Sequence, residues 1–195
     1  MLQNDMFFST DVETDGPLVG IHSMISIGSV AFDTNGQEIS SFSMNIKELD
    51  GAVQDQNTMK WWSEQPEVWK STRVDQKTAT EVMRLFQTWV NGIAEPRNVR
   101  PIFLAYPIGF DYAFVRWYLL KFTGKDIFQL ATVDIRSYAM RAVNCSYSDF
   151  SFKKLPERYM KNTNELSHFA IDDARIQGKI FMNMWLENQK YQLIK

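Results

Sequence analysis

Cysteine is nearly missing from this chain. Cys145 is the only one in 195 residues, which excludes an intrachain disulfide and leaves nothing to suggest a thiolate metal centre. A charge excess is missing too: the net charge of −2 argues against a broad electrostatic grip on duplex nucleic acid. Any nucleic-acid partner is therefore expected to be held locally, by an end or by a few nucleotides. No uninterrupted apolar run approaches the roughly 20 residues that span a bilayer. The N-terminus lacks a basic segment followed by a long apolar core, so no signal peptide is expected. Internal repeats, linkers and low-complexity tracts are absent as well. What remains is 45% hydrophobic and 14% aromatic, ample for one well-packed domain and small for two. The expectation is a soluble, cytoplasmic protein with no membrane partner and a single domain over residues 1–195.

The chain is organised around residues 7–16, Phe-Phe-Ser-Thr-Asp-Val-Glu-Thr-Asp-Gly. Met6-Phe7-Phe8 reads as a strand that leads into Asp11-Val12-Glu13-Thr14 and then a turn at Asp15-Gly16-Pro17. Residues two apart in a strand share a face, so Asp11 and Glu13 present two carboxylates side by side. Hard oxygen ligands so arranged suit Mg²⁺ or Mn²⁺. Read more plainly, they are two solvated acids at a strand end.

Residues 24–32 alternate small or polar with apolar side chains, the pattern of a half-buried strand. Asn35-Gly36 is a hairpin turn, and a third strand returns over 37–46 with Ile39, Phe42 and Met44 as core candidates. From Thr58 the pattern turns helical, with Pro66 ending a short helix. A longer helix is predicted over 78–93, with Val82, Leu85, Phe86, Trp89 and Val90 at helical spacing. Then follow a buried strand over 99–106, a helix over 109–122, a short strand over 130–134 and a helix over 135–142. A polar loop, a short helix over 153–159 and a final helix over 171–189 complete the chain. An antiparallel meander followed by alternating strands and helices predicts a layered α/β or α+β domain with a mixed sheet.

Two further acids fall where ligand sites of such sheets form. Asp111 follows a predicted strand at a helix start, and Asp173 begins the last helix. Each is equally well read as a first-turn acid favoured by the helix dipole. His168, one of two histidines, lies five residues before Asp173, on a loop that can hold its imidazole over the site. With an unperturbed pKa near 6.5 such a group takes protons at neutral pH. His22 has no acidic motif around it and is read as structural.

In this order the residues resemble the DEDDh group of 3′–5′ exonucleases, which includes proofreading exonuclease domains, oligoribonuclease and RNase T. The Asp-x-Glu-Thr motif is matched by Asp11, Glu13 and Thr14, and Phe-Asp by Phe110-Asp111. His-x-Ala-x-x-Asp-Ala is matched by His168, Ala170, Asp173 and Ala174. The likeness spans about residues 6–186. Trp61-Trp62-Ser63-Glu64-Gln65 resembles a Trp-Trp-x-x-Gln sequence of some bacterial and phage members. One departure stands out: Tyr106-Pro107 replaces the His-Asn often found before the middle Asp.

The resemblance implies a ribonuclease H-like three-layer fold, with a mixed five-stranded sheet of an antiparallel meander plus parallel strands, flanked by helices. It implies a two-metal phosphodiesterase site with Asp11, Glu13, Asp111 and Asp173 as ligands and His168 as general base. The substrate would be the 3′ end of single-stranded nucleic acid, DNA or RNA. Val12 and Thr14 would contact the terminal nucleotide, Met24 and Ile25 would wedge against its base, and Trp61, Trp62 and Tyr112 would stack on bases. Each of these last five is also a candidate for ordinary core. Two other readings stay open at this point: a catalytically silent module that binds 3′ ends, and a phosphodiesterase acting on nucleotides. Oligomeric state, homodimer included, is also left open.

Overall fold

β1 (Asn4–Thr14) is the middle strand of the molecule. In the computed structural model, which describes residues 4–161, 163 and 167–192, five strands pair in the order β3-β2-β1-β4-β5. The ends of the expected domain, residues 1–3 and 193–195, lie outside the described residues. β2 (Met24–Phe32) and β3 (Glu38–Asn45) form the antiparallel meander with β1. β4 (Val99–Ala105) and β5 (Thr132–Asp134) join in parallel on the other side. Pairing between β1 and β4 stops at Ser9↔Leu104, so β1 overshoots its neighbour. Its last residues, Asp11 and Glu13 among them, stay paired with β2 but, among the described residues, have no strand partner on the β4 side.

The alternation along β1 sends Met6, Phe8 and Val12 into one core layer and Phe7 into the other. The first layer is covered by α3 (Ala79–Arg97) and α4 (Ile108–Thr123), the second by α5 (Ile135–Val143) and α6 (Ala170–Gln192). By the two-residue period, Asp11 and Glu13 share the α6 side with Phe7. α1 (Gln56–Ser63) and α2 (Pro66–Ser71) build a small third cluster around Ile25, Trp62 and Val68.

α6 reaches the sheet because two glycines let it. A Cβ at Gly28 would stand 2.3 Å from the backbone of Ala170 and Ile171, and one at Gly178 would stand 2.5 Å from the Phe32 ring. Gly28 is the register partner of Asp11, so this close approach sets the start of α6 beside the first acid. It also changes the reading of β2. That strand is buried along all nine residues, because its small side chains accept a helix where the alternation predicted solvent.

Smaller departures have local causes. Pro66 opens α2 at its first turn, where its missing N–H costs nothing, while α1 has already stopped at Ser63. α3 runs on to Arg97 with Pro96 in its last turn and stops at left-handed Asn98. Leu85 is exposed on that helix, and Ile39 and Met44 are only half-buried. β5 starts at Thr132 because Gln129 and Leu130 take left-handed backbone before it. The helix expected over 153–159 is two separate 3₁₀ turns, Phe152–Lys154 and Glu157–Tyr159, with Pro156 between them.

Candidate active site

The end of β1, the first turn of α4 and the first turn of α6 bring Asp11, Glu13, Asp111 and Asp173 together. Asp11 and Glu13 are ringed by protein on most sides and keep partial contact with solvent. Burial, followed by the charges of Asp111, Glu13 and Asp173, holds the Asp11 carboxyl well above the usual range. Burial, then Asp173 and Asp111, does the same to Glu13. Asp111 is 2% exposed, and burial pushes it up to about 8 even though the Val12 N–H donates to its Oδ1 at 3.1 Å. Asp11, Glu13 and Asp111, with the charge of Asp173 beside them, form a site wanting positive charge.

Asp173 is oriented by the loop in front of it. Its Oδ1 accepts from the Ser167 N–H at 2.7 Å and its Oδ2 from the His168 N–H at 3.0 Å. His168 is exposed, in left-handed backbone at φ +60°. Its ring meets the ring of Trp61 edge to face, with centroids 5.0 Å apart.

The donor set fits Mg²⁺ or Mn²⁺: all four groups are hard carboxylate oxygens, and their mutual repulsion is what a divalent cation relieves. They do not form a closed cage, since no group of three Asp, Glu, His or Cys side chains among the described residues is arranged to hold an ion.

Several residues expected at the substrate are buried or bonded within the protein. Met24 and Ile25 are fully buried. Trp62 is 2% exposed, and its Nε1 donates to the Thr14 carbonyl at 2.9 Å. Tyr112 turns away from the acids, donating its hydroxyl to Asp126 at 2.7 Å and accepting from the Leu130 N–H. Val12 and Thr14 are buried, and the Val12 N–H is taken by Asp111. The Val12 N–H and the Thr14 carbonyl tie the acid-bearing strand to α4 and α1. His22 is structural as expected, buried with Nδ1 2.7 Å from the Val53 carbonyl.

Three supporting residues have no counterpart in the sequence reading. Gln177, one turn beyond Asp173, is buried and donates to the Thr10 carbonyl at 3.0 Å, on the stretch where β1 has left β4. Asp134 accepts from the Ser137 N–H with Oδ1 and from the Ile108 N–H with Oδ2. It thus caps α5 and the start of α4 at once, where Pro107 offers α4 no side-chain cap of its own. Asp15, in the turn after Glu13, is buried and accepts from the Ser23 N–H.

Known proteins resemble this chain in sequence and in fold. Residues 6–185 match the model of the 3′–5′ exoribonuclease Rv2179c-like domain. The chain is 27% identical over 187 residues to the 3′–5′ DNA exonuclease Cap18 of Escherichia coli, covering 91% of this chain and 90% of that protein. Its fold is similar to the nuclease domain of 3′hExo, a DEDDh family member bound to rAMP, at a TM-score of 0.72 and 12% identity, covering 94% of this chain and 93% of the other. E. coli exonuclease I in complex with a dA16 oligonucleotide shares the fold at a TM-score of 0.63 and 13% identity, covering 97% of this chain and 42% of the larger protein.

Proposed function

Because the chain belongs to the 3′–5′ exoribonuclease Rv2179c-like domain family and is a 3′–5′ exonuclease of the DEDDh type, we propose that it removes nucleotides from the 3′ end of single-stranded DNA or RNA, with two divalent cations, Mg²⁺ or Mn²⁺, and His168 as general base. The observation that supports this most is the convergence of Asp11, Glu13, Asp111 and Asp173 at one end of the sheet, each near enough to Asp11 to raise its carboxyl or be raised with it. These four would hold the ions. Two divalent cations at such a site supply activation of the attacking water and neutralisation of charge at the leaving oxygen.

The protein's own residues do the rest. The Val12 N–H and the 167–168 backbone fix Asp111 and Asp173 in orientation, so their oxygens are set before substrate arrives. A ring nitrogen of His168 takes the proton from the attacking water as the phosphorus–oxygen bond to the departing 3′ oxygen breaks. The net charge of −2 accords with a grip on one chain end in place of a long duplex track.

The test is a product ladder from 5′-labelled linear strands of matched DNA and RNA sequence, each with Mg²⁺ or Mn²⁺, beside a circular single strand. Linear strands should shorten stepwise from the 3′ end and the circle should survive. Digestion of the circle at the linear rate would overturn the proposal.

A further inference from the structure

Trp61 is left without a role by the chemistry above, and its surroundings give it one. Two indole rings, Trp62 and Trp61, connect the end of β1 to His168. Trp62 is fixed by its Nε1 bond to the Thr14 carbonyl, one residue past Glu13, and by Trp69 at 5.3 Å on its far side. Trp69 is itself covered by the Arg73 guanidinium at 4.3 Å. Trp61 meets Trp62 at 4.7 Å and an interplanar angle of 66°, and presents its own ring to His168 at 5.0 Å and 86°. Edge-to-face pairs of this kind have a preferred geometry, so they orient as well as attract.

His168 needs such a partner. Its backbone is held by Asp173 in the left-handed region, an unusual place for a residue other than glycine. Among the described residues no hydrogen bond reaches its ring nitrogens, and the Trp61 indole packs against the ring.

We infer that Trp61 is a positioning residue for His168, the last ring of a brace that ties the base to the strand carrying Asp11 and Glu13, and not a platform for substrate bases. The inference rests on the proposed role of His168. It gives the Trp-Trp pair a division of labour: Trp62 anchors to the first motif and Trp61 delivers that anchor to the third.

The experiment compares wild type, Trp61→Ala, Trp61→Leu, Trp61→Phe, His168→Ala and the Trp61→Ala/His168→Ala double variant. Melting temperature controls for folding. Single-turnover rate at saturating strand is measured with Mn²⁺, and strand affinity by anisotropy in EDTA. A misplacement of about 1 Å costs up to roughly a hundredfold in rate, so Trp61→Ala and Trp61→Leu should slow hydrolysis about ten- to a hundredfold with strand affinity unchanged. Trp61→Phe, which keeps a ring at the site, should recover most of the rate. In the His168→Ala background, Trp61→Ala should cost nothing further.

Weaker strand binding by Trp61→Leu with a normal saturating rate would overturn the inference in favour of base stacking. Losses that multiply in the double variant would overturn it as well, while a slow His168→Ala leaves the general-base reading standing. A full rate in His168→Ala would remove that reading, and this one with it.

Discussion

Asp11 and Glu13 stand on the central strand of the sheet, paired with β2 and backed by α6 at a glycine that admits no side chain. His168 stands on an exposed loop, its backbone pinned by one carboxylate and its ring by one indole. The difference follows from what each must withstand. Clustered acids repel, and their separations hold only if the elements beneath them are fixed by many contacts. A base must be aimed, yet it carries no comparable electrostatic load. The site is therefore rigid where charge is concentrated and lightly braced where a proton moves.

Removing an acid should break the comparison most severely. Asp11→Ala and Asp173→Ala are expected to lower the rate by roughly 10⁴-fold or more, the scale seen when one member of a catalytic unit is removed. Mn²⁺ titration by calorimetry should show weakened binding, while melting in EDTA is unchanged or higher because repulsion is relieved. Near-normal activity in Asp11→Ala with metal present would remove it from the site.

His168→Ala comes next. A general base contributes typically 10²–10⁴-fold, so the variant should be slower by that factor while binding Mn²⁺ and strand as wild type does. Loss of Mn²⁺ affinity as severe as in Asp173→Ala would make His168 a ligand or a structural post, and the contrast between the two regions would collapse.

Which parts of this arrangement were legible beforehand follows the same division. The acids announced themselves because carboxylates at strand ends and helix starts have a local signature, and the strands did so through alternation. Trp62 to Thr14, Gln177 to Thr10 and Asp134 to Ile108 are bonds across 48, 167 and 26 positions, with no period to betray them. Met24 and Ile25 were placed at the substrate by the family resemblance, with ordinary core as the alternative, and the second strand was read as half-buried. The small residues that gave it that look are what let α6 close over it. Tyr112 followed Asp111 in sequence, but one step along a helix turns a side chain by about 100°, away from the acids.

Asp134 offers a milder break. Asp134→Ser keeps a cap for α5 and removes the acceptor for the Ile108 N–H, freeing the turn that carries Asp111. A lost cap costs about 1 kcal/mol. The melting temperature should fall by a few degrees, on the order expected for a domain of this size. Mn²⁺ affinity should drop less than in Asp173→Ala. An unchanged affinity would show that Asp111 is held by Val12 alone.

The last effect falls on stability alone, and it sharpens the comparison by isolating the charged half. Asp111 has its carboxyl raised from an ordinary 3.8 to about 8, with Asp11 and Glu13 raised in the same direction. Below the ordinary value the group is protonated in folded and unfolded chains alike, and its contribution is constant. Between the two values the unfolded chain has released the proton and the folded one still holds it, so the unfolded state gains with every step in pH. Stability of the metal-free protein should therefore fall from about pH 4 towards about pH 8, by at most about 1.4 kcal/mol per pH unit for each such group. Asp111→Asn should flatten the decline, and added Mn²⁺ should offset it most strongly at the alkaline end, where the carboxylates are ionised. Melting curves in EDTA across this range decide the matter: stability that rises with pH would mean that the four acids do not confront one another in solution.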